Sequence, residues 1–298
     1  MLHAPQILRS IPLLLAAPGL LAQAPAEFVA AHQSWRAERF RSLSAEEGWL
    51  SLVGLHFLKE GANEAGSEAG LPVVLPSGVP SRVGVFRLDQ GRVTFRAEPG
   101  AGVTLRGKTV EETPLRTDAE GEPDVLRAGT LRFHVIRRGD RYAVRVKDTA
   151  NPALKAFKGV DAFPPDAAYR VVATFKPYPT PRTVAIPTVL GTTEAMPAPG
   201  LVRFRLKGRS YTLQPVQEGG PDSKFFFIFR DGTAGAETYP AGRFLYADPP
   251  KDGKLVLDFN RAVNPPCAFT PFATCPLPPK QNQLKVRIPA GEKTYGEH

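Results

Sequence analysis

Cysteine is almost missing from this sequence: there are two among 298 residues, Cys267 and Cys275. No C-x-x-C or C-x-x-C-H spacing occurs, so the usual haem attachment has no support. Histidine is scarce as well, at five residues. There is no H-E-x-x-H, no G-x-S-x-G and no G-x-G-x-x-G after a strand pattern. The standard zincin, serine-hydrolase and dinucleotide readings are thereby removed. Hydrolase chemistry of another kind stays open, because catalytic triads are defined by geometry. A dense basic run is also missing. The net charge is +9 and the pI about 9.7, but Lys and Arg are scattered singly, with no interleaved stacking aromatics. Nucleic acid is therefore not an expected partner, while acidic ligands and anionic surfaces are left open.

Beyond the N-terminus no apolar run reaches membrane-spanning length, so no stable membrane anchor is expected. Near the N-terminus, Arg9 precedes the apolar run 11–21, and Ala22-Gln23-Ala24 fits the small-x-small pattern of signal-peptidase sites. Residues 1–24 thus read as a cleavable signal peptide and the mature protein as exported, periplasmic or extracellular. Proline and glycine are abundant, at 31 and 27 residues. They demand many turns and short strands, hence a mostly β fold.

Residues 25–60 read as an N-terminal helical segment. Phe28, Ala31, Trp35 and Phe40 share one face of a helix over 26–43, set to pack on a sheet. Residues 61–150 read as a β-sandwich-like domain. Val83–Leu88 and Arg92–Arg96 flank a hairpin turn at Asp89-Gln90-Gly91. Leu131–Val135 and Tyr142–Val146 flank another at Arg138-Gly139-Asp140, an integrin-type tripeptide whose place between alternating strands marks it as a turn. Asn151 to Pro165 reads as a linker. Residues 151–298 form a second β-rich domain, with strands expected at 169–175, 201–206, 210–213, 225–229, 243–246, 254–259 and 284–288. Phe225–Phe229 is apolar on both faces, so it is expected at the centre of a sheet.

The stretch Leu255–Pro279 contains both cysteines and six prolines. Proline lacks the backbone donor and fixes φ, so this is a stiff, irregular loop leaving a strand. The words GWLSLVGLHFLKEG, DGTAGAETYPAGRFLY and DFNRAVNPPCAFTPFATCPLPP resemble those of the bacterial domain-of-unknown-function family numbered 1684, from about Trp35 to about Lys293. That resemblance brings no activity with it. Residues 61–148, through Gly66-Ser67, Leu75-Pro76, Gly84-Val85-Phe86 and Gly129–Phe133, resemble a degenerate forkhead-associated sandwich. Such domains read phosphothreonine. Here no Ser-x-x-His occurs and Arg106-Gly107 stands where Asn-Gly belongs, so phosphopeptide reading is not expected.

Two cysteines in an exported protein point to a disulfide between Cys267 and Cys275, worth about 2–3 kcal/mol from loop closure. Buried free thiols and a reactive thiol are the alternatives. A zinc site wants closer cysteines with a histidine nearby, so no metal is expected, and no cofactor. The second candidate is the Gly-rich loop Asp231–Arg243, with Asp258, Asn260 and Asn264 placed beside it. As a polar pocket, it would use Arg243 to grip a carboxylate or phosphate, with Tyr239, Asp258, Asn260 and Asn264 as further contacts. Asp231 or Glu237 as general base, with Arg243 as electrophilic stabiliser and Cys267 as an outside nucleophile, would make a metal-independent hydrolase or lyase. The purely structural reading is an Arg243–Asp258 ion pair. His56 and His134 read as packing residues. The leading function is binding of a small acidic or polar ligand in the C-terminal domain, with the enzyme and a protein-interaction scaffold as alternatives.

Overall fold

A computed structural model describes residues 25–220 and 222–296, and the segment 1–24, expected as a signal peptide, lies outside them. The protein is mostly β. Helix α1 (Ala26–Leu43) buries only His32 and Leu43. It is held by individual contacts rather than by an apolar stripe. His32 reaches Asp258 at 3.2 Å, Arg39 reaches Glu292 at 3.0 Å, and Leu43 packs with Leu50 and Phe157. Most of these partners lie in the C-terminal half, so the helix docks there rather than on the sandwich that follows it.

That sandwich is built from β1 (Leu52–Phe57), β2 (Gly61–Gly66), β3 (Val73–Val74), β4 (Gly84–Asp89), β5 (Arg92–Ala97), β6 (Thr104–Leu105), β7 (Lys108–Thr109), β8 (Glu112–Leu115), β9 (Leu126–Ala128), β10 (Leu131–Arg138) and β11 (Arg141–Asp148). They form two sheets, ordered β1-β11-β10-β9-β6-β7 and β3-β2-β4-β5-β8. Between the sheets Phe86, Phe95 and Phe133 meet with ring centroids 4.7 and 6.2 Å apart. Both expected turns are present. Asp89 pairs with Arg92 across Gln90-Gly91, whose φ of 46° and 81° makes a type I′ turn. Arg138 pairs with Arg141 across Gly139-Asp140. Strand alternation sends Phe133, Val135, Val144 and Val146 into this core, so His134, Ala143 and Arg145 point to the outer face. That outer face is buried as well.

The expected linker is packed. It forms α2 (Pro152–Ala156), capped by Asn151, and Phe157 stacks on Phe40 at 5.0 Å. The C-terminal half is organised by a long hairpin, β12 (Arg170–Pro187) and β13 (Thr193–Leu206), with β14 (Arg209–Leu213) beside β13 and β17 (Lys254–Asp258) beside β12. Strands β15 (Phe225–Phe229) and β16 (Arg243–Ala247) form a separate two-stranded sheet. Thus β15 is not the centre of a large sheet. It is buried on both faces because it separates two cores: Phe225, Phe227 and Phe229 face one, Phe226 and Ile228 the other. A bridge from Val216 covers part of its free edge. Leu284–Ile288, expected as a strand, is irregular. Its backbone is taken up elsewhere: the Leu284 N–H donates to Arg230 and the Ile288 N–H to the Asp231 carboxylate. Among the described residues no helix is long and apolar enough to cross a membrane.

Phe227 is fully buried, so Phe227→Ala should cost about 3–5 kcal/mol through lost transfer energy and a residual cavity. Urea unfolding of the purified variant measures this.

Candidate functional site

The residues expected to line a C-terminal pocket do not converge on one. Arg243 is 1 % exposed. It pairs with Asp231 at 3.0 Å rather than with Asp258, and it donates to the carbonyls of Ile288, at 3.0 Å, and Ala290. Burial lowers its pKa and Asp231 opposes that. Asp231 in turn accepts from the Ile288 N–H at 2.7 Å and from the Thr233 hydroxyl. Asp231, the expected base, and the two terminal nitrogens of Arg243, the expected ligand contact, therefore fasten loop 231–243 to the C-terminal segment, while Arg243 Nε has no partner. Glu237 pairs at the surface with Arg287 at 2.6 Å. Asp258 is occupied by His32 and by the backbone and side-chain amides of Asn260. Asn260 also clamps the backbone of Asp166. Tyr239 is buried and hydrogen-bonds Cys267.

The disulfide is not formed: Cys267 and Cys275 are free thiols. They are nonetheless neighbours, with the Cys267 N–H donating to Cys275 Sγ at 3.1 Å. A thiol–thiol hydrogen bond and burial raise Cys275, which keeps its proton. The hydrogen bonds from Cys275 and Tyr239 bring Cys267 down to about 7.

A wide concavity lies elsewhere, between the outer face of β10–β11 and the C-terminal half. It is a cleft of about 1030 Å³. Of the residues selected from the sequence as site candidates, Asn264 and Cys275 line it. Arg145, from β11, is 7 % exposed. It donates to Thr274 Oγ1 at a long 3.4 Å and lies 5.5 Å from the Trp49 ring, while its Nε has no partner. Among the described residues no carboxylate pairs with it, whereas Arg138 beside it has Asp118 at 2.7 Å. Arg138 also donates to Thr274 Oγ1, at 3.2 Å. Burial, and then Arg138, lower the Arg145 pKa to about 10, so it stays charged at neutral pH. Its cross-strand neighbour His134 is held down to about 4 by burial and then by Arg145, so it is neutral and supplies no compensating charge. The opposite wall is aromatic. Tyr246, 46 % exposed, stacks on Phe226 at 4.7 Å and 8°. Glu218 stands at the rim, its carboxyl raised by burial and by Glu194. Asn264 Oδ1 is a second buried atom here without a hydrogen-bond partner.

An unmatched buried cation, hydroxyl and amide groups, and a flat aromatic wall can hold an anion with an apolar body. Among the described residues no cluster of three or more His, Cys, Asp or Glu side chains is placed to hold a metal ion. One further spacing exists in the sequence: Gly102–Thr109 has the G-x-x-x-x-G-K-[ST] pattern of a phosphate-binding loop. The structure makes it the β6–β7 hairpin, turning at Arg106 and Gly107 with φ of 51° and 78°. No helix follows to present its N-terminus to a phosphate, so the spacing is fortuitous.

A family model described as "Protein of unknown function (DUF1684)" matches residues 155–293, a shorter span than the sequence words indicated. The solution NMR structure of an uncharacterized protein of Haloarcula marismortui is 34% identical, over 49% of this chain and 82% of that one, with a TM-score of 0.42. A structure from a study of phosphothreonine-dependent FHA domain interactions is 23% identical, over 31% of this chain and 92% of that one, with a TM-score of 0.23. No curated protein matches.

Arg243→Ala strands Asp231 in the core and should cost about 3–5 kcal/mol, read by denaturant unfolding. The pH dependence of stability should carry the mark of His134. Its pKa falls from 6.5 to about 4 on folding. The unfolded chain therefore binds more protons between those values, and stability present above pH 6.5 is lost as pH falls through this window. The loss is about 3 kcal/mol, and His134→Gln should remove it from a pH series of unfolding curves.

Proposed function

Because the chain belongs to the DUF1684 family, whose model spans residues 155–293 and carries no activity, we propose its function from the cleft: it binds a small anionic ligand with a flat apolar portion. One observation carries this reading. Arg145 is a buried guanidinium with an unpartnered Nε and no carboxylate paired to it among the described residues. Leaving a charge in that state is costly unless something completes it. A carboxylate or phosphate would do so, accepting from Arg145 and Arg138 while its body lies on the Tyr246–Phe226 stack. The net charge of +9 favours capture of such ligands. The signal-peptide pattern of residues 1–24 supports placing this activity outside the cytoplasm. The small acidic ligand expected from the sequence is retained, but its site moves from Arg243 to the boundary between the two β-rich units.

A second reading rests on Glu218. It lines the same cleft with a raised carboxyl pKa, which would make it, rather than Asp231 or Glu237, the general acid or base of a hydrolase or lyase.

Titration calorimetry at low ionic strength, with benzoate and inorganic phosphate as probes, tests the leading reading. Benzoate should bind saturably, and Arg145→Met should weaken it at least about tenfold, the loss of one charge-assisted contact. The same variant should be no less stable than the parent, because it removes a buried charge that lacks a partner. Equal benzoate binding by Arg145→Met, or no saturable binding of either probe, would overturn the assignment.

A further inference from the structure

The two thiols support an activity separate from anion binding. Cys267 and Cys275 lie at the two ends of a proline-flanked loop whose backbone is fixed. The Ala268 N–H donates to Pro265, and the Val189 N–H donates to the Cys275 carbonyl at 3.0 Å. The loop brings the Cys267 N–H to 3.1 Å from Cys275 Sγ, so the two cysteines are neighbours in space. Their surroundings differ. Cys267 retains solvent contact, while Cys275 is 3 % exposed. The Cys267 sulfur is faced by two donors, the Cys275 thiol and the Tyr239 hydroxyl, which stabilise it as a thiolate with a pKa of about 7. A thiolate that forms near ambient pH combines population with nucleophilicity. The buried Cys275 keeps its proton until its neighbour is consumed.

We propose that Cys267 and Cys275 form a thiol–disulfide exchange site, with Cys267 attacking, Cys275 resolving, and a small-molecule disulfide as co-substrate. In the first step the Cys267 thiolate bonds to one sulfur of the small disulfide. The S–S bond of that molecule breaks, and its other half leaves as a thiolate that takes up a proton. In the second step Cys275 loses its proton and its sulfur bonds to Cys267 Sγ. The mixed disulfide breaks and the second small thiolate leaves. The protein pair is oxidised by two electrons and the small disulfide is reduced to two thiols.

The test is a redox titration of the purified, folded protein in glutathione buffers, quenched with acid and read by intact mass and peptide mapping. The expected result is a reversible loss of one hydrogen from each thiol, mapped to a Cys267–Cys275 cross-link. Cys275→Ser should accumulate a glutathione adduct on Cys267, and Cys267→Ser should leave Cys275 unmodified under the same conditions. The pH midpoint for alkylation of Cys267 should rise in Tyr239→Phe. A pair that reacts only after guanidinium has unfolded the chain overturns the proposal, as does glutathione uptake by Cys275 in Cys267→Ser as fast as by Cys267 in Cys275→Ser.

Discussion

The Asp231–Arg243 pair is the contact from which the C-terminal half hangs. It is 1 % exposed on both sides, so its charges are expensive to bury and must satisfy one another. They also recruit neighbours. Asp231 takes the Ile288 amide, and Arg243 takes the Ile288 and Ala290 carbonyls. This fixes the C-terminal segment against β16 although the segment has no ladder of its own. Two residues beyond Ala290, Glu292 accepts from the Asn264 amide at 2.6 Å and from Arg39 of α1 at 3.0 Å. One buried ion pair thus positions the chain end, the start of the Pro/Cys loop and the N-terminal helix.

The cleft follows from this arrangement. Once the Pro/Cys loop is set by Asn264 at one end and by the Val189–Cys275 hydrogen bond at the other, Thr274 projects toward β10–β11. Its hydroxyl there accepts from Arg138 and Arg145. The outer face of the sandwich is closed off by this loop and by the start of β13 rather than by water. An arginine on an outward strand position thereby becomes a buried one. Docking left Arg145 with a single long hydrogen bond to Thr274, the Trp49 ring beneath it and no paired carboxylate among the described residues, the carboxylate of Asp118 acting on it only from beyond ion-pair distance.

This explains what the sequence disclosed and what it withheld. The β content, the Gln90-Gly91 and Gly139-Asp140 turns and the helix over 26–43 are local: alternation, turn residues and a run of helix-favouring side chains free of proline and glycine write them into adjacent positions. The long-range burial of Arg145 is not local. In Tyr142–Val146 it occupies the polar position of an alternating strand, which ordinarily means solvent. Its one-dimensional pattern does not differ from that of Arg87 or Arg96, both exposed. Arg243 is the opposite case. A Gly-rich loop with an acid, two threonines and an arginine has the composition of a binding site, but the same groups form a closed internal network when a second segment brings carbonyls to the guanidinium. Leu284–Ile288 carries a strand's composition, yet several of its amides and carbonyls are claimed by side chains and loop backbone. A sheet ladder needs those groups free, since each backbone donor and acceptor must be accounted for once.

Two buried arginines of one chain therefore have opposite physical roles. Arg243 has a carboxylate partner and two carbonyls, so its charge is neutralised within the protein and its loss would propagate through every segment it joins. Arg145 has a hydroxyl, a ring and a second arginine nearby and feels Asp118 only without pairing to it, so the folded state carries it as an incompletely compensated cost. Natural proteins accumulate such costs where a ligand or a reaction offsets them, because selection acts on function above a stability threshold. Asn264 Oδ1, also buried without a partner, lines the same cleft, and the thiol pair borders it through Cys275. Of the five buried side-chain atoms without a hydrogen-bond partner among the described residues, two belong to this cleft; Arg243 Nε is another, but its guanidinium is neutralised by a carboxylate and two carbonyls. For a fold whose family name assigns no chemistry, that imbalance is a better guide to the site than composition, since it measures what the protein leaves for something else to complete.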